Sequence, residues 1–538
     1  MRKLRLSSAN QRSPNRIPAD DIVKLVEDDV DGGMVTNADP ANLENNEFLT
    51  ITNFVVRFHR TSRRRGTSLY TPIKPNANRV LLLTPFDTSD GTVRIVRFTP
   101  STIHYASAAV WTEVTGAGLN GGNNDRFTTT ILDDRMFFSN NGVDQIQEIT
   151  LAGNTYARLG NADRWRYITG FGGRVVAGYY NEAGLENGVL VGWSALDDYA
   201  EWDPAVDPTA GEQPLSDSSS DTADFIAFVK GFSSSIQIVR NRSIWEGIVL
   251  ESPTNPFRFY NKWPGVGCDC PWTVQPIPFG LMWVDVRTNA VYEYILGQPP
   301  RDVSDPNRTE IINIITDKEA IFASYNQNTD EYSIVIPNSI SETYDIWTYS
   351  RRESVDQQKP VWFHSTRKNL TTLNDLDYVS GTLAIQDLVG DINGLVGNIE
   401  DLVVTTLLVT RFQGFSDGRI TYTNNEVDAD DGVDFTSVLE SKTYQIPGSN
   451  TIIANLVLRL IPRLAGSITV QYSKDDGETY TNYKIVTYGA DDLNINQIIK
   501  CQKPILSDRF RWQLTCTDGA FDMSKYEIWV SDGGEQRQ

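Results

Sequence analysis

Residues 171–204 decide the fold, and they read FGGRVVAGYYNEAGLENGVLVGWSALDDYAEWDP. A Gly-Gly turn opens this stretch, and a short apolar strand at 174–179 leads through a polar loop to a second strand at 189–193. Tyr199 and Trp202 follow an acidic turn. β-Branched and aromatic residues on both sides of a polar loop are typical of an antiparallel hairpin. The stretch therefore predicts two strands of a small antiparallel sheet whose exit turn is held by aromatic side chains.

The same rhythm of short apolar strands and polar turns continues through most of the chain. Residues 135–151 and 281–295, for example, each contain a strand, a turn and a second strand. Repeated four-stranded units of about 40–50 residues are the sequence pattern of a β-propeller. We predict an all-β protein with a flexible basic arm at 1–30, a propeller of about six blades at 31–430 and a C-terminal β-sandwich-like domain at 431–538.

Composition excludes several classes of protein. The 538 residues carry a net charge of −21, which argues against a general nucleic-acid binder, because such proteins present a basic face. No run approaches the roughly 20 apolar residues of a membrane helix, and the basic N-terminus lacks the apolar segment of a signal peptide. The spacing of the four cysteines does not match a zinc site, so we expect them to be buried thiols. They are Cys268, Cys270, Cys501 and Cys516. We expect neither a bound metal nor a cofactor.

Two basic clusters contrast with this acidic composition. The first precedes any acidic residue and comprises Arg2, Lys3, Arg5, Arg12 and Arg16. The second comprises Arg63, Arg64 and Arg65, on a predicted strand. Each cluster is either a solvated tail or strand edge, or a surface that docks on an acidic neighbour during assembly.

Two acidic clusters lie in the second half of the chain. Asp387, Asp391, Glu400 and Asp401 fall in a stretch whose apolar residues follow helical heptad spacing, interrupted by glycines. The other cluster comprises Asp428, Asp430, Asp431 and Asp434. It lacks the spacing and the terminal glutamate of a calcium-binding EF-hand, so a solvated acidic loop is the preferred interpretation.

Residues 473–480 match the Asp-box pattern S-x-D-x-G-x-x-aromatic through Ser473, Asp475, Gly477 and Tyr480. In such a hairpin the Ser and Asp satisfy backbone donors, the Gly takes a positive φ and the aromatic ring packs beneath. Sialidases repeat this box once per blade, whereas here it occurs once and outside the predicted propeller. The three histidines are isolated from one another, and no nucleophile or phosphate-binding motif is present. We therefore predict no catalytic residues.

Several of these passages resemble the tail hub or nozzle proteins of short-tailed bacteriophages. The hairpin at 171–204 is similar to a family signature in which a G-G-R strand leads to V-x-W-S and a D-x-x-x-W turn. Other similar passages are a turn at Asp39-Pro40, Arg65-Gly66 before Tyr70, the S-I-W strand at 243–245 with a later Gly-Cys turn, and I-x-D-L-like repeats at 373–376, 385–388 and 399–402. A similar hairpin also stands at the position of the Asp-box.

The resemblance implies a structural protein of the virion tail, assembled in the host cytoplasm. It would form a homo-oligomeric ring, expected to be a hexamer, through which the genome DNA is retained and ejected without sequence-specific binding. Its partners would be a head–tail adaptor and the tail fibre, spike or tip proteins, with no small-molecule substrate. The two acidic clusters are expected to line the lumen, where like charge lowers friction with DNA. The alternative is a glycan-binding or glycan-cleaving, sialidase-like propeller in host-receptor recognition.

Overall fold

The computed structural model describes residues 22–532 except 72, 90, 92, 108–109, 151–153, 161, 183–184, 217–223, 253, 339–341, 380–406 and 446–450. The N-terminal basic cluster lies outside the described residues. So do four of the predicted lumen acids, Asp387, Asp391, Glu400 and Asp401, together with the heptad-like stretch around them.

Five propeller blades each use four consecutive antiparallel strands. Blade 1 comprises Leu82–Asp87, Val93–Phe98, Ile103–Ser107 and Val110–Val114. Blade 2 comprises Phe127–Leu132, Arg135–Asn140, Gln147–Thr150 and Thr155–Arg158. Blade 3 comprises Trp165–Phe171, Arg174–Glu182, Leu185–Trp193 and Gly211–Pro214. Blade 4 comprises Ile226–Gly231, Ser235–Arg240, Ser243–Val249 and Phe257–Pro264, and blade 5 comprises Gln275–Ile277, Gly280–Asp285, Ala290–Ile295 and Arg301–Asp302.

Two further blades complete the ring. Blade 6 is one end of a ten-stranded sheet and comprises Phe322–Asn326, Glu331–Pro337, Thr343–Ser350 and Val361–Lys368. Blade 7 takes Leu370–Val379, Leu407–Phe415 and Ile420–Asn424 and adds Gly66–Leu69 from early in the chain. The first strands of blades 7 and 1 contact each other, so the ring closes there. Within the described residues, six blades are therefore separate four-stranded sheets, and blade 6 is part of a larger sheet that continues into a second domain.

The remaining strands form a two-sheet domain, which we call the sandwich. One sheet contains Ile22–Glu27, Phe54–Arg57, Arg60–Arg63, Thr451–Leu464, Gln497–Cys501, Ile505–Leu506 and Ala520–Asp532. The other contains Phe48–Thr52, Ser437–Ser441, Tyr444–Gln445, Gly466–Ser473, Thr481–Tyr488 and Arg509–Cys516, and joins blade 6 where Thr52 pairs with His364. The prediction of an all-β propeller of about six blades with a C-terminal sandwich-like domain is confirmed, with six separate four-stranded sheets and a further four-stranded unit that continues into a sandwich sheet. Its boundaries differ, because residues 22–63 belong to the sandwich sheets.

Helical structure is sparse in the described residues. Two short α-helices occur, α1 (Arg308–Asn313) and α2 (Arg351–Gln357), and three-residue 3-10 turns lie at Pro271–Thr273, Asp305–Asn307 and Ala490–Asp492. Ser350 caps α2, its hydroxyl accepting a hydrogen bond from the Glu353 amide. No helix among these residues combines the length and apolar character needed to cross a bilayer.

The hairpin at 171–204 forms the second and third strands of blade 3, as predicted. Gly172 and Gly173 take the predicted turn at φ values of 59° and 71°, which favour glycine. Tyr199 is buried against Phe137 of blade 2, with ring centroids 5.1 Å apart, and its hydroxyl donates to Asp133 at 2.5 Å. The aromatic exit turn therefore holds blade 3 against blade 2.

The cores are rich in aromatic side chains, and Trp283, Trp362 and Trp512 are among the largest fully buried residues. One apolar cluster runs from blades 4–6 into the sandwich without a break, so the two domains share a core. The four cysteines are free and buried, as expected. Burial raises the pKa of Cys501 and of Cys516 to about 11, which leaves both thiols protonated and unreactive near neutral pH.

Candidate functional site

A cavity of about 810 Å³ lies where blades 6 and 7 meet the sandwich hairpin that spans residues 54–63. Eight arginines line it, against three acids: Glu331, Glu426 and Asp522. The arginines are Arg57, Arg60, Arg63, Arg64, Arg65, Arg367, Arg411 and Arg463. In a chain of net charge −21, this local excess of positive charge is the most distinctive chemical feature of the described residues. We call it the arginine cavity.

The wall formed by blade 6 contains a buried carboxylate between two arginines. The side chain of Glu331 is fully buried, and Arg57 binds it in bidentate fashion, with Nε 2.5 Å from Oε1 and Nη2 2.7 Å from Oε2. Arg411 binds Asp375 at 3.1 Å and also acts electrostatically on Glu331. Burial alone would raise the pKa of Glu331, but the two arginines outweigh it and the pKa is lowered.

This lowered pKa gives a pH prediction. Glu331 contributes stability above its unfolded pKa of about 4.3, and that contribution is lost as the pH falls through the lower folded value. The free energy of unfolding of Glu331→Gln should therefore be lower than that of the wild type at pH 7, and this difference should become smaller below about pH 4. Urea unfolding of both proteins across this pH range measures the difference. A difference that does not change with pH would contradict the lowered pKa of Glu331.

The basic cluster at 63–65 was expected at the surface, but the structure buries most of it. Arg63 and Arg64 are only 1% and 5% exposed, so the prediction of a solvated edge or external assembly surface is wrong for both. Arg63 donates to the hydroxyl of Ser437 at 3.0 Å and to several backbone carbonyls. Arg65 is half-buried and lines the arginine cavity, where its Nη1 atom is buried with no hydrogen-bond partner among the described residues.

The acidic loop at 428–434 supplies partners to these arginines. Arg64 binds Asp430 through two hydrogen bonds of 2.8 and 2.6 Å, and Arg367 reaches the same carboxylate at 3.2 Å. Asp431 accepts from Arg419 at 2.6 Å, and the Asp428 carboxylate lies 3.9 Å from Arg63. Charge complementarity brings these clusters together because burial of Arg63 and Arg64 requires paired charge. Three of the predicted lumen acids are thus largely neutralised within the chain, while Asp434 is exposed.

The sequence interpretation missed Arg57, Arg367 and Arg411, which are isolated in the sequence and carry no motif. Guanidinium groups offer paired donors that match carboxylate and phosphate oxygens. The lining residues include serine, threonine and tyrosine hydroxyls but no histidine, cysteine or lysine. The arrangement suits binding of an anion.

The Asp-box hairpin has the contacts that its sequence predicts. Asp475 Oδ1 accepts from the Ser473 hydroxyl at 2.6 Å and from the Thr479 amide at 3.0 Å. The Gly477 amide donates to the Ser473 hydroxyl at 2.8 Å, and the Tyr480 hydroxyl donates to Glu440 at 2.5 Å. Hydrogen bonds from Ser473 and Thr479 lower the pKa of Asp475 to about 2, which keeps it an acceptor. These contacts are turn contacts within the sandwich.

Gly477→Val should destabilise the sandwich. Gly477 has a φ of +94°, and a Cβ atom there would lie 2.3 Å from Nη1 of Arg511, which is bound to Glu440. Backbone strain of this kind costs about 1–3 kcal/mol, and the clash adds to it. Thermal unfolding should show a lower Tm than for Glu478→Val, a change at the exposed neighbouring position. Equal melting temperatures for the two variants would refute this prediction.

Comparison with known proteins gives weak structural similarities and no family. No family model matches the chain, and no curated protein sequence does. Among solved structures, an extracellular domain of a one-component system from Bacteroides thetaiotaomicron is 10% identical, with a TM-score of 0.38 over 87% of this chain and 64% of that one. A quinoprotein alcohol dehydrogenase-like protein from the same organism is 13% identical, with a TM-score of 0.30 over 51% and 64%. A chain of a nidogen/laminin complex is 16% identical, with a TM-score of 0.28 over 41% and 77%.

Proposed function

We propose that this chain is a structural protein of the virion tail of a short-tailed phage, the subunit of a nozzle or hub ring. The ring would be a hexamer that retains and passes genome DNA and joins a head–tail adaptor to tip or fibre proteins. The passages that resemble this family support the proposal.

The observation that supports it most is how the N-terminal segment ties the two domains together. Gly66–Leu69 forms the outer strand of blade 7, and Phe48–Thr52 joins blade 6 to the sandwich. Ile22–Glu27 pairs with Ala520–Asp532 within the sandwich. The N-terminal segment thus contributes strands to both domains, which also share one apolar core. Domains joined in this way would suit the wall of a channel that holds DNA under pressure.

Within this proposal the acidic lumen rests on Asp387, Asp391, Glu400, Asp401 and Asp434. Asp428, Asp430 and Asp431 contribute less, because arginines of the same chain face them. The basic residues Arg2 to Arg16 would dock on an acidic neighbour, through ion pairs that contribute little singly but set register together.

The arginine cavity favours a second candidate, a propeller that recognises a carboxylate-bearing glycan on the host surface. Most of the eight arginines already bind acceptors of the same chain, but the buried Nη1 atom of Arg65 is a donor that such a ligand could use. This candidate would act as a monomer or a trimeric spike and need no ring.

The two candidates are separated by the mass of the untagged protein in solution and by electron microscopy of the particles. The nozzle proposal expects rings of about six subunits of 60.3 kDa each, with no binding of sialylated or uronic-acid oligosaccharides. Deletion of residues 2–16 should weaken the rings and leave the unfolding transition unchanged. A protein that remains monomeric and binds such oligosaccharides would overturn the nozzle proposal in favour of the second candidate.

A further inference from the structure

Three side chains from distant parts of the chain meet outside the arginine cavity. Asp31 follows the first sandwich strand, and His59 lies in the turn between Phe54–Arg57 and Arg60–Arg63. Glu353 lies in α2, which connects the third and fourth strands of blade 6. One potential ligand atom from each lies within 4.8 Å of the other two. The His59 Nδ1 atom is 2.6 Å from Oδ2 of Asp31. We call this group the Asp-His-Glu cluster.

The two carboxylates are buried to an unusual degree. Asp31 is 0% and Glu353 is 2% exposed, whereas the side chain of His59 is 59% exposed. Oε1 of Glu353 accepts from the Phe58 amide at 2.9 Å, but Oε2 is buried and has no hydrogen-bond partner among the described residues. A buried carboxylate oxygen without a partner is costly, and the price rises when a second carboxylate lies beside it. A protonated His59 would balance one of the two carboxylates, and the second still needs a proton or a further cation.

The nearby arginines do not supply one. Arg57 binds Glu331, and the Arg352 guanidinium lies 5.4 Å from the Phe58 ring centroid. Besides His59, the side-chain amide nitrogen of Asn46 lies 3.3 Å from Oδ1 of Asp31. A divalent ion would balance two carboxylates, and an imidazole nitrogen with two carboxylate oxygens is a donor set for a transition metal. Calcium and magnesium prefer oxygen ligands alone.

We propose that Asp31, His59 and Glu353 bind one divalent transition-metal ion of the Zn²⁺ type. The exposed imidazole provides the path of entry, and water completes the coordination. Because the three ligands come from the N-terminal segment, the sandwich hairpin and the helix that connects two strands of blade 6, the ion clamps the sandwich to the propeller. The site would be present whether the chain forms a ring or binds a glycan.

The test uses the untagged full-length chain after EDTA treatment and dialysis. Calorimetric titration with ZnCl₂ should give one site per chain, and Zn²⁺ should raise the Tm. His59→Ala and Glu353→Gln should each remove that site and the Tm shift. His59→Ala changes an exposed side chain, so it should still fold, and circular dichroism checks this.

Two matched controls should retain the site. His364→Ala removes the other histidine that pairs with a carboxylate, Asp345 at 3.0 Å. Asp356→Asn removes an exposed carboxylate from the same helix as Glu353. A protonated Glu353 beside a charged His59–Asp31 pair would produce the same geometry without an ion. Wild-type protein that binds no Zn²⁺, or binding that survives both His59→Ala and Glu353→Gln, would overturn the proposal.

Discussion

Replacing Arg63 with Met is expected to lower the free energy of unfolding by about 3–5 kcal/mol, the usual result of removing one partner from a buried charge network. Its guanidinium is fully buried and donates to carbonyl oxygens of Asp428, Phe435, Thr517 and Gly519 as well as to the Ser437 hydroxyl. Methionine fills a similar volume but donates nothing, so these acceptors would stay buried without partners.

Arg60→Met is the matched control, because Arg60 lies on the same hairpin strand and is partly exposed. Urea unfolding of the two variants and the wild type gives the comparison. Arg63→Met should shift the midpoint strongly, and Arg60→Met should shift it little. If both variants unfold at the same urea concentration, Arg63 is not the centre of the junction between the sandwich and the loop at 428–435.

Local patterns in the sequence predicted the local structure well. The strands at 174–179 and 189–193, the Gly-Gly turn and the Asp-box contacts all depend on residues close together in the chain, and turn chemistry is read at that range. The sequence did not predict which strands pair with each other. Phe48–Thr52 is rich in aromatic and β-branched residues, as strands are, but nothing in that composition places it beside Ser437–Ser441.

The arginine cavity could not be predicted from the sequence, because it too depends on contacts between residues that are distant in the chain. The opposite charges of 63–65 and 428–434 were visible as two clusters, yet the sequence interpretation placed both at the surface, either solvated or in contact with DNA or neighbouring subunits. The structure pairs them with each other, because arginines carried into the junction on a short hairpin need carboxylates. Arg367 and Arg411 stand alone in the sequence, and only the meeting of blades 6 and 7 with the sandwich brings them to the cavity.

Gly66→Ala is expected to detach Gly66–Leu69, the outer strand of blade 7, from the rest of that blade. A methyl group at Gly66 would lie 2.1 Å from the carbonyl oxygen and 2.6 Å from the amide nitrogen of Ala429, and neither backbone atom can rotate away. The Gly66 amide donates to Val427 at 2.9 Å and the Thr67 amide to Ala429 at 3.0 Å, so relief of the clash breaks these bonds. Overpacking costs about 1–3 kcal/mol, and loss of the closing strand adds to that.

Hydrogen exchange locates the effect, and Gly489→Ala provides the control, since a methyl group there would meet nothing nearer than 4.0 Å. In Gly66→Ala, amides of Gly66–Leu69 and Ile420–Asn424 should exchange faster, because the two strands protect each other through their pairing. Protection in the strands of blade 3, on the other side of the ring, should change much less. Loss of protection throughout the chain would mean that the propeller unfolds as one unit, and unchanged protection at Gly66–Leu69 would mean that this strand does not close the ring.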